Sequence, residues 1–570
     1  MGIYDSRFWK KNWDKGLDDL KPEEYDTTYL ELLEDSFKNC ADKIALHYLG
    51  ITVTYGELDK YTNQFANMLI ENGFKKGDVV GINLPNTPQY LIALVGSLKA
   101  GCIISGVSPL LSAEQIKYQI NDLTSTGKKG ALVTLDAIFA GHITKIAADM
   151  PGLDLIVTTN PASFLPKIKQ FLGKLLKKVP TGKVTPLPGK TILDLHKDVL
   201  QKQPTNPAGV KVSADDIGWI QYTGGTTGPP KGAMLNHRNV AHNIKAINRW
   251  LGWDKAKGVL LSGFPMFHIA GLTVCESALY LGWTQVLIPN PRDTDHICAE
   301  IDKFKPTYLV NVPSLYQMLV ANPKFKELDH SSLLGCVSAA SPFPKESQVE
   351  LESVIGQGKL LELYGMTETS PVSTMNPSKG QKKLGTIGMP FFNVDLKIVN
   401  PENGEEVPLG EAGEICVKGP LVMQGYFNKP EETKKAVDKD GYMHTGDVGI
   451  MDEEGFIKIV DRTKDMIIVG GFKVFSSKVE DIISNHPAIG LLALVGREHP
   501  DRPGSELVKA YIQLDPVYNF DGNYDALKED IIKFAKENCS PYEVPKEIEF
   551  VAEIPLTTVG KVDKKVLRAR

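Results

Sequence analysis

The chain is 570 residues long, 42% hydrophobic and 23% charged, with a formal net charge of −5. That length exceeds what one hydrophobic core supports, so two or more domains are expected, and the composition is that of a globular protein rather than a disordered or fibrous one. The negative balance excludes a broad phosphate-backbone footprint, so no nucleic-acid partner is expected.

The N-terminus, MGIYDSRFWKKNWD, lacks the apolar stretch of a secretory signal, and no run reaches the roughly 18 apolar residues that span a bilayer. Gly2 and Ser6 meet the loose N-myristoylation pattern, which so few constrained positions also meet by chance. Cys40, Cys102, Cys275, Cys298, Cys336, Cys416 and Cys539 are scattered, odd in number and include no CxxC pair. That predicts reduced thiols in the cytoplasm, with neither a disulfide frame nor a zinc site.

From about residue 50 to 330, short apolar runs alternate with amphipathic stretches in the manner of parallel βα units. VVGINLP (79–85) predicts a buried strand, PQYLIALVGSLKAG (88–101) a helix and CIISGVSP (102–109) the next strand; ALVTLDA, VLLSGFP and TYLVNVP repeat the pattern. The expectation is an α/β fold, an open sheet with functional loops at the strand ends. FLPKIKQFLGKLLKKV (164–179) stands apart, with Ile168, Phe171, Leu172, Leu175, Leu176 and Val179 at helical spacing and lysines mostly off that face. It fits a basic amphipathic helix lying on an anionic membrane surface, or a surface helix docked on its own domain with solvated lysines.

The segment Tyr222-Thr223-Gly224-Gly225-Thr226-Thr227-Gly228-Pro229-Pro230-Lys231-Gly232 follows a strand-like DIGWIQY and precedes a plausible helix. Glycines let backbone N–H groups converge on a polyanion, threonines add hydroxyl donors and Lys231 adds a cation, so a phosphate cradle is expected. It is not a Walker A loop, which needs GK followed by Ser or Thr. After residue 380 the texture changes to strand-like GEICVKG (413–419) and the hairpin GIMD-EEG-FIKIV. Beyond DRTKD (461–465) comes a small α+β pattern: KVEDIISNHP as helix, LVKAYIQL as strand and ALKEDIIKFAKENC as helix, which places a domain boundary near Lys464.

YTGGTTGPPKG resembles the signature loop of the adenylate-forming superfamily, which holds acyl-CoA synthetases, luciferases and peptide-synthetase adenylation domains. FPMFH (264–268), YGMTE (364–368), YMHTGD (442–447), DRTKDMIIVGGFKV (461–474) and PLTTVGK (555–561) follow in the family's order. The resemblance covers nearly the whole chain and is nearest to medium- and long-chain fatty-acid–CoA ligases. It implies a large N-terminal domain of α/β sheets with a β-rich subdomain over residues 1–463. A small mobile α+β C-terminal domain over 464–570 would turn about a hinge at Lys464. The implied reaction joins a carboxylic acid to ATP, with Mg²⁺, as acyl-AMP and pyrophosphate, then transfers the acyl group to coenzyme A.

Residue by residue, the resemblance puts Thr223, Gly224, Gly225, Thr226, Thr227, Gly228 and Lys231 on the ATP phosphates. It puts Tyr364 and Gly365 at the adenine, Thr367 at the α-phosphate and Glu368 on Mg²⁺. Asp447 falls on the ribose, Arg462 on ribose or phosphate, and Lys561 on the reacting carboxylate and phosphate. His268 falls at the mouth of the acyl pocket. Ser338, Ala339 and Ala340 stand where relatives commonly carry glycines lining the acyl tunnel, and their added atoms would shorten or narrow it. Gly470 and Gly471 would face the coenzyme A channel, from which Ser476 and Lys478 depart by lacking the usual proline and acidic residue. Without the family order, Tyr364 would be read as core packing, Asp447 as a turn former, His268 as a satisfied core histidine and Lys561 as a solvated terminal lysine. Two alternatives stay open: a carrier-protein thiol as acceptor, and a silent nucleotide- or acyl-binding relative. A homodimer is compatible with the sequence but has no signal in it.

Overall fold

The computed structural model describes the chain except residues 1, 177–178, 224–228, 471, 501, 503–504 and 557–561, and the side chains of 174 and 175. Strands Val79–Asn83 and Gly130–Leu135 are buried along their whole length, as central parallel strands covered on both faces must be. They belong to a seven-stranded sheet in the order Thr191–Asp194, Leu153–Thr159, Gly130–Leu135, Val79–Asn83, Ile103–Gly106, Ile217–Thr223 and Lys231–Asn236. Only the last pair is antiparallel.

A nine-stranded sheet runs Met389–Pro390, Val372–Met375, Leu360–Gly365, Gly335–Ser338, Tyr308–Asn311, Val259–Ser262, Thr284–Leu287, Ile44–Tyr48 and Ile51–Thr54. It is parallel in the middle and antiparallel at both edges. The single open sheet expected from the alternating pattern is thus two sheets. Strand periodicity reports which residues are buried but not which strand lies alongside, and Ile44–Tyr48 pairs with Thr284–Leu287, far along the chain.

One apolar cluster joins the two sheets through the helices that cover them. The helix Pro88–Lys99 is buried at every position but its last, as an element apolar all round requires. The helix Tyr55–Glu71 is started by a capping box, with Thr54 Oγ1 accepting from Glu57 N–H at 3.2 Å and Glu57 accepting from Thr54 N–H at 2.8 Å. A polar contact lies inside this layer: Trp219 Nε1 donates to Glu276 Oε1 at 2.9 Å, tying the strand Ile217–Thr223 to the helix Ile269–Leu281. Burial pushes the Glu276 carboxyl well above the usual carboxylate range.

A four-stranded antiparallel sheet follows, Asp395–Val399, Ala412–Lys418, Met443–Met451 and Ile457–Arg462, and its last pair is the expected hairpin. After it come the hairpin Ile467–Val469/Phe472–Val474 and a three-stranded sheet, Ile489–Glu498, Glu506–Leu514 and Glu547–Phe550. The helices Ser476–Ile483 and Tyr524–Asn538 stand where the pattern put them. Ile467, Val479, Ile483, Leu494, Ile512 and Ile531 form a core of this smaller domain's own. A polar seam joins it to the sheet before: Asp461 accepts from Ser476 Oγ and Ser477 Oγ, each at 3.2 Å. Beside them Lys564 pairs with Glu480 at 2.7 Å, and burial raises the Glu480 carboxyl to about 7.

The basic stretch forms a helix over Lys167–Leu175, shorter than the expected 164–179. Its apolar residues are not docked: Ile168 is 75%, Phe171 66% and Leu176 61% exposed. Phe164, just before the helix, anchors it against Tyr61 and His196. Among the described residues no helix is long and apolar enough to cross a membrane.

Because the buried Glu276 carboxyl is held neutral, Glu276→Gln is expected to keep wild-type stability, while Glu276→Leu strands the Trp219 N–H and costs about 1–3 kcal/mol. The folded wild type also keeps a proton that the unfolded chain gives up above the ordinary carboxylate range. Its stability therefore falls as pH rises above that range, and Glu276→Gln lacks that part of the slope. Denaturant unfolding across pH checks both; a Gln variant as unstable as the Leu variant would show that the proton and its donor–acceptor pattern do not matter.

Candidate active site

The strand Ile217–Thr223 runs into the glycine- and threonine-rich loop and the chain returns antiparallel as Lys231–Asn236, so that Thr223 and Lys231 are cross-strand partners. The expected helix after the loop is displaced by this second strand and starts only at His237. The strands on either side of the loop therefore pair as a hairpin, and the chain after it continues as a strand rather than a helix. Gly224, Gly225, Thr226, Thr227 and Gly228 lie outside the described residues. The two strands nevertheless fix the loop's ends, and with them the Lys231 ammonium.

Lys231 Nζ lies 4.4 Å from the centre of the Tyr426 ring and 3.2 Å from Glu432 Oε2. Tyr426 is carried there by a segment that adds along the edge of Lys231–Asn236. Met234 N–H donates to Gly425 O at 2.9 Å and Phe427 N–H to Gly232 O at 2.7 Å. The Tyr426 hydroxyl in turn donates to Glu368 Oε1 at 2.6 Å, and Met423 N–H donates to the Glu368 carbonyl at 2.8 Å.

Glu368 sits in the short 3₁₀ turn Thr367–Thr369, which touches both strands of the hairpin. It is buried, and burial raises its pKa, opposed by the Tyr426 hydroxyl and the Lys231 charge. The preceding strand Leu360–Gly365 delivers Tyr364, with Gly365 at a point where a Cβ would stand 1.8 Å from Pro371 O. No side chain fits there, and that close approach sets the turn that presents Thr367 and Glu368.

The Tyr364 hydroxyl donates to Asp447 Oδ2 at 2.6 Å, and Arg462 Nε faces Asp447 Oδ1 at 3.2 Å. Asp447 and Arg462 are direct cross-strand partners in the four-stranded sheet. The arrangement offers a carboxylate with one oxygen on each side, flanked by an aromatic ring and a guanidinium. That set suits a polar diol and an adjoining phosphate. Glu368 suits a hard divalent cation: with Oε1 held by Tyr426, Oε2 is the oxygen such an ion would take, and Mg²⁺ commonly uses one or two carboxylates plus substrate phosphates.

The remaining expected residues fall elsewhere around these strands. His268 is the N-cap of the helix Ile269–Leu281, its Nδ1 accepting from Ala270 N–H at 3.3 Å. The loop before it is pressed onto the other sheet, since a Cβ on Gly106 would lie 2.2 Å from Phe267 O. Ser338 ends the strand Gly335–Ser338, opposite Glu362, with a buried hydroxyl. Ala339 is buried and Ala340 takes a φ of 74°; both pack on the cluster that Tyr364 also touches. Gly470 lies on the exposed hairpin of the smaller domain, its N–H donating to Ser505 Oγ at 2.9 Å. The Lys464 carbonyl accepts from Arg568 Nη2 at 3.2 Å. Gly471 and Lys561 lie outside the described residues.

Sequence reasoning missed Tyr426, Glu432 and the buried Glu362, whose carboxyl is raised by burial to about 8. Tyr426 stands in an unremarkable Gly-Tyr-Phe, and nothing in its spacing points across to Glu368.

The family model described as AMP-binding enzyme matches residues 33–427, and that of the AMP-binding enzyme C-terminal domain matches 478–561. A long-chain-fatty-acid–CoA ligase of Bacillus subtilis (strain 168) is 37% identical over 95% of this chain and 94% of its own. One of Salmonella typhimurium (strain LT2) is 34% identical over 96% and 95%. The crystal structure of an anthranilate CoA ligase in complex with anthranoyl-AMP superposes with a TM-score of 0.82 at 25% identity, covering 96% of this chain and 98% of that one. With a match over both domains and relatives this near along the full length, the chain belongs to the AMP-binding enzyme family and is an acyl-CoA ligase, which activates a carboxylic acid with ATP as acyl-AMP and passes the acyl group to coenzyme A.

Proposed function

We propose that the acid is a medium- or long-chain fatty acid. The observation that carries this is the full-length likeness to ligases named for long-chain fatty acids, and Ser338-Ala339-Ala340 stand where relatives carry tunnel-lining glycines. The methyl and hydroxyl groups there favour a shorter or narrower tunnel than glycines would leave.

In this reading Lys231 and the glycine–threonine loop hold the β- and γ-phosphates, with Thr227 beside them. Tyr364 and Gly365 border the adenine, Asp447 accepts from the ribose hydroxyls, and Thr367 and Arg462 contact the α-phosphate and ribose. Glu368 would hold Mg²⁺, whose charge offsets the polyanion, while Tyr426 keeps its carboxylate oriented. Ground-state carboxylate and phosphate repel each other, so the task of these side chains is positioning and charge stabilisation around the transferred phosphoryl group. His268 positions the carboxylate end of the acid at the pocket mouth.

The hinge is assigned to Lys464. The strand Ile457–Arg462 ends just before it, and the smaller domain's own core begins at Ile467. Asp461 bonds Ser476 and Ser477 across the seam, polar contacts that suit a joint able to open. Rotation there exchanges Lys561, needed for adenylation, for Gly470 and Gly471, whose lack of side chains leaves room for a pantetheine arm.

The helix Lys167–Leu175 is assigned to the surface of an anionic membrane. Ile168, Phe171, Leu172 and Leu176 face water with no cover from their own domain, in a stretch dense in lysine. A fatty acid delivered from a bilayer would reach the enzyme there.

Pyrophosphate release from ATP–Mg²⁺, measured with acids from acetate to palmitate and with benzoate, is expected to be fastest with a medium- or long-chain acid and to speed up with coenzyme A. Release with benzoate alone would overturn the fatty-acid assignment. Lys561→Ala is expected to slow adenylation by over a hundredfold, about 3 kcal/mol, yet largely spare thioester formation from supplied acyl-adenylate; equal loss in both steps would sink the hinge. Neutralising Lys174, Lys177 and Lys178 should weaken binding to anionic vesicles at low salt, and a wild-type protein that ignores such vesicles would end the membrane reading.

A further inference from the structure

Three residues before Asp447, a second cluster of polar groups has no part in the chemistry above. The strand Ala412–Lys418 lies antiparallel to Met443–Met451 with Cys416 directly opposite His444. Glu414 is two residues before Cys416 and reaches the same imidazole, with an irregularity in the pairing between them. His444 Nδ1 is 2.9 Å from Glu414 Oε2 and 3.5 Å from Cys416 Sγ. Among the described residues this is the one group of three His, Cys, Asp or Glu side chains whose ligand-type atoms all lie within 4.8 Å of each other.

We propose that Glu414, Cys416 and His444 form a binding site for a borderline-soft divalent cation of the zinc type. A thiolate, an imidazole and a carboxylate make a mixed donor set that such an ion takes and that Mg²⁺ does not favour. Tetrahedral ligation at ordinary zinc distances puts the nitrogen–sulfur edge near roughly 3.6 Å and the nitrogen–oxygen edge near roughly 3.4 Å. The first is already met within a tenth of an ångström or so, and the second needs the carboxylate to withdraw by about half an ångström. Three protein ligands leave a fourth position for water or a small anion.

The surroundings support the set. Asp438 Oδ2 stands 3.7 Å from His444 Nε2, on the far side of the ring, where its charge favours a proton on Nε2 and leaves Nδ1 for the metal. Glu414 Oε1 is held by Gly446 N–H at 3.0 Å. Glu414 and Cys416 are buried, while the His444 side chain is 31% exposed, which gives the ion its way in. The one lysine opposite Cys416, Lys397, has its ammonium over the Tyr442 ring at 4.2 Å. On binding, the cation replaces the proton that His444 Nδ1 shares with its neighbours, and the Cys416 thiol gives its proton to solvent; no electrons are transferred. Scattered cysteines without a CxxC pair predict no zinc site, but here the ligands come from two paired strands rather than from one local run.

Co²⁺ titrated into the full-length, chelator-treated protein in excess Mg²⁺ tests the site through its thiolate-to-cobalt charge-transfer absorption. The expected result is a band that saturates at one equivalent, is abolished by Zn²⁺ and is absent in Cys416→Ser. Asp438→Asn should keep the band but weaken Co²⁺ binding by roughly 10–100-fold. Carboxylate-dependent pyrophosphate release by Cys416→Ser in Mg²⁺ alone certifies its fold. If that variant does not fold, His444→Gln, which leaves the thiol in place, must lose the one-equivalent band. No band in the wild type, or a band that survives in Cys416→Ser or His444→Gln, such as one arising from the partly exposed Cys539, overturns the proposal.

Discussion

The site depends on one buried carboxylate. Glu368 is placed out of water by a turn that touches both strands of the phosphate hairpin, and its burial has to be compensated. Two features do so: the Tyr426 hydroxyl and the nearby Lys231 charge. Because Tyr426 and Lys231 are themselves in ring–ammonium contact, the lysine and the carboxylate are held by the same aromatic side chain. Loss of any one partner leaves another polar group buried without its complement.

That turn is possible because two sheets share one apolar layer. Strands of the seven-stranded sheet bring the hairpin, and strands of the nine-stranded sheet bring Tyr364 through Glu368. The helices between them, one of them tied to the seven-stranded sheet by the Trp219–Glu276 hydrogen bond, hold the two deliveries together. The four-stranded sheet then contributes Asp447 and Arg462 as a cross-strand pair beside Tyr364. A family of enzymes that runs two half-reactions at one acyl site needs such a rigid base.

The strand bearing Asp447 carries more chemistry than nucleotide binding requires. Glu414 bonds Gly446 with one carboxylate oxygen and His444 with the other, so the segment from His444 to Asp447 is gripped from the neighbouring strand. A cation held by the proposed site would replace the shared proton between His444 and Glu414 with a metal cross-link between the same two strands, close to Asp447.

Much of this was legible in the residues. Buried strands such as Val79–Asn83, the helix Pro88–Lys99, the hairpin ending at Arg462 and the two helices of the smaller domain follow from periodicity and turn chemistry, which are local. The order of the six motifs carried the family. What periodicity leaves open is partnership: the division into two sheets, the strand where a helix was expected after the phosphate loop, and the exposed apolar face of Lys167–Leu175. Tyr426 on Glu368, Glu276 on Trp219 and Cys416 opposite His444 are also partnerships of this kind. Each joins residues with no shared spacing, because a side chain records its own burial in the sequence but not the identity of the group it meets. The amino acids alone determined the chemistry available and the reaction class; only the tertiary structure decided which carboxylate faces which hydroxyl, because those distances are set by the packing of sheets that are distant along the chain.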